Sequence, residues 1–211
     1  MCWNERVSLN SFIFSLFALM FAYFNNVINI YLFLYIFSFT SMQLLEYFTW
    51  RNLNDKKINK LLSQLGLFLI FIQPILAIIA FKNIAMKIKI YLIVLYLMFA
   101  IFCHSYFHID FSMEKAPNGH LAWNWLNFPP LIIFIWLSFI FGILLYRKLY
   151  LRFSLHLIVF IAIYYTYYTT NTWGSLWCWI ANIIALQLIF QVFFQFKLNN
   201  CLLFESRIYK N

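Results

Sequence analysis

The chain has 211 residues, of which 65% are hydrophobic, 23% aromatic and 10% charged, and its formal net charge is +9. A soluble domain carries about a quarter charged residues, so this composition excludes an ordinary water-soluble fold and indicates a membrane protein. The basic residues lie in short clusters between apolar runs, as topology signals and contacts with anionic lipid do. This distribution argues against nucleic acid as a partner. The four cysteines include no Cys-x-x-Cys pair, so neither a disulfide framework nor a thiolate zinc site is expected.

Apolar runs long enough to cross a hydrocarbon core about 30 Å thick recur along the chain. Backbone groups in lipid must be hydrogen-bonded within their own segment, and strand-type alternation is absent from the sequence, so the runs predict helices. In chain order, the predicted spans cover residues 8–24, 27–50, 60–81, 88–104, 128–146, 153–170 and 174–196. The predicted fold class is an all-α polytopic bundle of about seven transmembrane helices, and residues 1–211 form a single integral membrane domain.

The third predicted span leaves an alternative topology open. Its polar and helix-breaking residues are Gln64, Gly66, Gln73 and Pro74. With seven spans, the side that holds the C-terminus collects nine basic residues and the other side six, which is a small bias. Six spans plus a re-entrant segment at 60–81 would change these counts to 14 and 1. The length of the apolar run and the cost of exposing a turn to lipid favour seven spans, with the C-terminus in the cytoplasm.

Glu46 is an acidic residue inside a predicted span, in the stretch SMQLLEYFTW. Helical spacing places Gln43 and Trp50 on the same face. A lone carboxylate in a bilayer is costly, so proteins turn it toward polar partners in the bundle interior. The sequence therefore predicts an internal site for a proton, a cation or a small polar solute, and the alternative is a purely structural hydrogen bond. The residues predicted to meet there are Gln43, Glu46, Gln73 and Asn182.

The last predicted span also carries a glutamine stripe. Gln187, Gln191 and Gln195 repeat every four residues, which puts them on one helix face. Such a stripe is typical of packing between helices. Beside the lipid bilayer, the partner that it suggests is a second copy of the chain, in a homo-oligomer formed through helix faces.

The long connection HSYFHIDFSMEKAPNGHLAWNW contains a possible metal site. On a helix, His104 and His108 would present two ring nitrogens to one metal ion, and Asp110 or His120 would complete the site. The sequence lacks an HExxH motif and a second HxxxH motif, so this signal is weak. It makes a membrane-embedded, metal-dependent lipid hydrolase an alternative function, and no other cofactor is implied.

Three phrases, SMQLLEYFTW, GHLAWNW and WGSLWCWIAN, resemble multi-pass membrane proteins encoded by giant DNA viruses. The resemblance covers most of the chain, from the second predicted span to the seventh. It implies a viral protein in a host endomembrane or in the virion membrane, and it implies no activity. The functions left open are a small transporter- or channel-like protein, the hydrolase, and a purely structural viral membrane protein.

Overall fold

The computed structural model describes residues 4–81, 84–176 and 178–194, without the side chains of Arg152, Cys178, Trp179 and Phe194. Most of this part is helical, and its one sheet is a short two-stranded hairpin, which confirms the predicted all-α class. The helices are α1 (Glu5–Phe24), α2 (Ile30–Arg51), α3 (Lys56–Ala80), α4 (Met86–Tyr106), α5 (Pro130–Tyr146), α6 (Tyr150–Tyr167), α7 (Trp173–Leu176) and α8 (Cys178–Phe194). A helix therefore occupies the described part of each predicted span, within about five residues at either end, and residues 177, 195 and 196 of the seventh span lie outside the described part.

Four helical segments in the described part of the chain are long and apolar enough to cross a membrane. They are α1, α3, α4 and the stretch Trp173–Phe193, which takes in α7 and most of α8. Helix α5 is apolar but shorter. Helix α2 is long enough, but Gln43 and Glu46 lower its mean hydropathy. A crossing by all seven predicted spans stays a prediction.

Helix α3 runs without interruption from Lys56 to Ala80, although Pro74 lies inside it. The structure therefore has no turn here, and a re-entrant reversal at residues 60–81 is not observed. Proline supplies no N–H to the carbonyl four residues earlier, which is that of Ile70. The indole N–H of Trp136 on α5 donates to this carbonyl at 3.4 Å. The backbone is thus satisfied at the proline, and α5 is fixed to α3.

The long connection lies over one end of the bundle. Its Met113 contacts Thr49 near the end of α2 and Asn59 near the start of α3, and Glu5 at the start of α1 pairs with Arg51. We call this end the hairpin end; it comprises the start of α1 and residues 52–55, 107–129 and 168–172. A two-stranded antiparallel hairpin lies there, with β1 (Met113–Lys115) paired to β2 (Leu121–Trp123). Gly119 adopts a φ of 81° in the turn between the strands, a conformation that favours glycine. The backbone N–H of Trp123 donates to the carbonyl of Asn171, which attaches the hairpin to the start of α7.

Helix α1 packs closely against α2 and α8 because its buried face is made largely of small residues. Small side chains at a spacing of three and four let helix backbones approach and let short polar groups reach across. These residues are Ser8, Ser11, Ser15, Ala18 and Ala22.

Candidate functional site

Asn182 on α8 links three helices through its side-chain amide. Its Oδ1 accepts hydrogen bonds from Ser15 Oγ on α1 at 3.0 Å and from Gln43 Nε2 on α2 at 3.3 Å. Its Nδ2 donates to Ser11 Oγ at 3.3 Å. We call these four residues the Asn182 cluster. The structure thus brings together Gln43 and Asn182, and it adds two α1 serines that sequence reasoning missed.

Glu46 lies fully buried on α2, three residues from Gln43 toward the hairpin end. Three residues advance a helix by about 4.5 Å and stay on one face, so Glu46 is about one turn from the Asn182 cluster. A carboxyl group removed from water is tolerated when it is hydrogen-bonded or protonated. Its burial makes Glu46 the described residue best placed for proton chemistry inside the bundle.

Gln73 does not join this cluster, contrary to the predicted convergence of four residues. Met113 defines the register of the antiparallel helices α2 and α3, because Thr49 Oγ1 lies 3.8 Å from its Sδ and Asn59 bonds to its backbone. From that level, Glu46 lies about 4.5 Å along α2, whereas Gln73 lies about 21 Å along α3. Sequence spacing within one helix could not reveal this separation, because it depends on how the two helices are aligned.

The glutamine stripe of α8 lies partly inside the bundle. Gln191 is buried, and Gln187 is half-buried. Gln195 lies outside the described residues. The burial of Gln191 favours helix packing within the chain over a subunit contact at this position.

The predicted metal site is not assembled in the described part of the chain, where no three His, Cys, Asp or Glu side chains are grouped to hold an ion. The physical reason is that α4 ends at Tyr106, so His104 lies in the last turn and His108 lies beyond the helix. The two histidines therefore lose the spacing of one helical turn. Both side chains, and that of Asp110, are exposed.

His120 lies apart from the other predicted ligands, at the end of the hairpin turn. Its ring meets Tyr167 edge-on, with 5.9 Å between ring centroids. Partial burial lowers the pKa of its imidazole below the usual value. His120 therefore favours the neutral form as part of the packed hairpin end.

Two stacked indoles fill the bundle at the hairpin end, a feature that sequence reasoning missed. Trp123 and Trp125 are buried, with ring centroids 5.0 Å apart and an interplanar angle of 15°. Gly66 of α3 lies against Trp125 and Gly174 of α7 against Trp123, so that an added Cβ would come within 2.7 and 2.4 Å of the rings. We call Trp123 and Trp125 the indole pair.

A small cavity of about 20 Å³ lies among α3, α4, α5 and the long connection. Its walls include Phe71, Cys103 and Trp136, and its surface is apolar. Apolar cavities of this kind stay dry. Among the described residues, the walls of this cavity include neither Glu46 nor a member of the Asn182 cluster.

These observations define a helical bundle with an internal hydrogen-bonded cluster, a buried carboxyl group and several helices compatible with an integral membrane location. No protein-family model, curated protein sequence or solved structure matches this chain.

Proposed function

We propose that this is a seven-span integral membrane protein with a small transporter- or channel-like function, in which Glu46 binds and releases a proton. The observation that supports this most is the complete burial of Glu46 one helical turn from the Asn182 cluster. Ionisable residues inside membrane bundles mark proton and ion pathways.

The chemistry of the surrounding groups favours a proton over a metal cation. The nearby cluster consists of two amides and two hydroxyls, which donate or accept hydrogen bonds and carry no charge. Such groups accommodate a carboxylic acid as well as a carboxylate. Calcium and magnesium ions take six or more oxygen ligands, and carboxylates are usually among them. Glu46 is the one fully buried carboxyl group among the described residues.

The indole pair closes the interior at the hairpin end in this proposal. Exchange of a proton from that side requires the rings to move relative to Gly66 and Gly174, which they contact closely. The hairpin end would face away from the cytoplasm, and the C-terminus would be cytoplasmic. The membrane would be a host endomembrane or the virion membrane, as the resemblance to giant-virus proteins implies.

Proton flux into liposomes tests this function. The purified protein is reconstituted with a pH-sensitive dye inside the vesicles, and acidification is followed after a pH step. We expect Glu46→Gln to abolish the flux and to preserve the fold, because the amide keeps the shape of the side chain and cannot exchange a proton. The matched control is Glu5→Gln, which changes an exposed carboxylate that lies 3.9 Å from Arg51.

A structural role is the second candidate, since the hydrogen bonds of Asn182 hold α1, α2 and α8 together. Wild-type liposomes that show no flux above protein-free vesicles would contradict the proton function and support this role. No observation on the described residues favours the hydrolase.

A further inference from the structure

Gln73 presents a second polar group in the bundle interior, separate from Glu46. Its side chain is fully buried, and neither Oε1 nor Nε2 has a hydrogen-bond partner among the residues that the structure describes. Buried polar groups in native proteins are almost always hydrogen-bonded, to protein or to an ordered small molecule. We propose that Gln73 binds a small neutral molecule that both donates and accepts a hydrogen bond, of which water is the smallest.

The contacts of α3 locate this site at the interface with α5. Trp136 on α5 donates to the carbonyl of Ile70, and Ala77 belongs to the same apolar cluster as Ile143. Ile70 and Ala77 are seven residues apart on α3, as Trp136 and Ile143 are on α5, so the two helices run side by side in the same direction. Gln73 lies between Ile70 and Ala77 on this buried face. Gln73 thus lies on the face of α3 that packs against α5, on a different interface from the Asn182 cluster.

The chemistry of the site selects a neutral ligand. Pro74 leaves the carbonyl oxygen of Ile70 without its helical donor, and a free backbone oxygen attracts a cation, but this oxygen and that of Phe71 are both engaged. Trp136 donates to Ile70 O, and Tyr96 Oη donates to Phe71 O at 2.7 Å. What remains is one carbonyl oxygen and one NH₂ group on Gln73, which match a ligand with one donor and one acceptor. A single amide cannot replace the hydration shell of an ion.

Hydroxyl-radical labelling tests the site with water itself as the probe. Radicals formed by radiolysis of a bound water oxidise reactive side chains around it. Trp136 is a reactive side chain near this site, because its indole donates to the carbonyl of Ile70, which lies three residues from Gln73 on the same helix face. In nanodiscs, we expect oxidation of Trp136 in the wild-type protein and its loss in Gln73→Leu. The matched control is Gln64→Leu, the same change at an exposed position of the same helix, which should leave the labelling unchanged.

The melting temperature of Gln73→Leu gives a second readout. If a ligand forms hydrogen bonds with the amide, replacing Gln73 by an apolar residue brings no gain in stability, and we expect the Tm to stay the same or to fall. If the amide has no hydrogen-bond partner, the substitution removes two buried polar groups whose burial is costly, and the Tm rises by about 4 °C or more. Such a rise would overturn the proposal. So would the labelling experiment, if Trp136 stays unoxidised in the wild-type protein or is oxidised to the same extent in Gln73→Leu. Gln73→Met, which keeps the length of the side chain, replaces Gln73→Leu if the latter does not fold.

Discussion

Replacing Gly174 by alanine should destabilise the protein, because the new methyl group has no room. The added Cβ would lie 2.4 Å from Cε3 of Trp123, well inside van der Waals contact. Trp123 cannot retreat, since it is stacked on Trp125, which itself lies against Gly66. Overpacking of this kind costs about 1–3 kcal/mol. For a chain of this length, each kcal/mol corresponds to about 2–4 °C, so the Tm should fall by about 2–12 °C.

The assay is thermal unfolding in nanodiscs, followed by tryptophan fluorescence. Gly142→Ala is the matched control, because Gly142 lies within α5 and an added Cβ there meets nothing within 4 Å. Alanine is favoured over glycine in a helix interior by about 1 kcal/mol, so the control should be as stable as the wild-type protein or more stable. Equal melting temperatures for Gly174→Ala and Gly142→Ala would refute the close packing of the indole pair.

Three further predictions concern the Asn182 cluster and the hairpin end. Asn182→Leu removes three interhelical hydrogen bonds, each worth about 0.6 kcal/mol in a membrane. Thermal unfolding should show a free energy of unfolding that is lower by about 2 kcal/mol, and an unchanged Tm would contradict this prediction. Asn59→Leu removes both side-chain bonds to the Met113 backbone, at 2.8 and 2.9 Å. Amide exchange at Met113 should therefore accelerate, while a protected amide would show that the hairpin is held by other contacts. Burial lowers the pKa of His120, so its contribution to stability should be complete above the ordinary value of about 6.5 and decline as the pH falls through it. The Tm should therefore depend less on pH in His120→Gln than in the wild-type protein. Equal slopes of Tm against pH in the two proteins would exclude His120 as the cause of the pH dependence.

The helices were predictable from sequence because backbone polar groups cannot be left unpaired in lipid, so each long apolar run must form a helix. The face shared by Gln43 and Glu46 was also predictable, since it depends only on the period of one helix. Reading the proline in α3 as part of a continuous helix agrees with the structure, in which Trp136 supplies a donor for the freed carbonyl. The number of helices that cross a membrane stays a prediction.

The composition of the site was less predictable, because it depends on which helices meet and at what level. Gln73 and Asn182 were both plausible partners for Glu46 in the sequence. In the structure, Asn182 is bonded to Gln43, whereas Gln73 lies one turn from Ile70, whose carbonyl accepts from Trp136 of α5. The serines of α1 are common residues in an apolar helix, and only the close approach of α8 makes Ser15 a donor to Asn182. The loop histidines looked like ligands only on the assumption that α4 continues to His108.

The most direct test of the account is an infrared titration of Glu46 in the reconstituted protein. The carbonyl stretch of a protonated carboxyl group is distinct from that of a carboxylate, and subtraction of the Glu46→Gln spectrum isolates the contribution of this residue. If Glu46 exchanges a proton, its carboxyl band should change reversibly with pH, and the change should be absent from the variant. A difference spectrum that stays constant across the whole accessible pH range would contradict a proton-binding function and leave Glu46 as a structural element of the bundle.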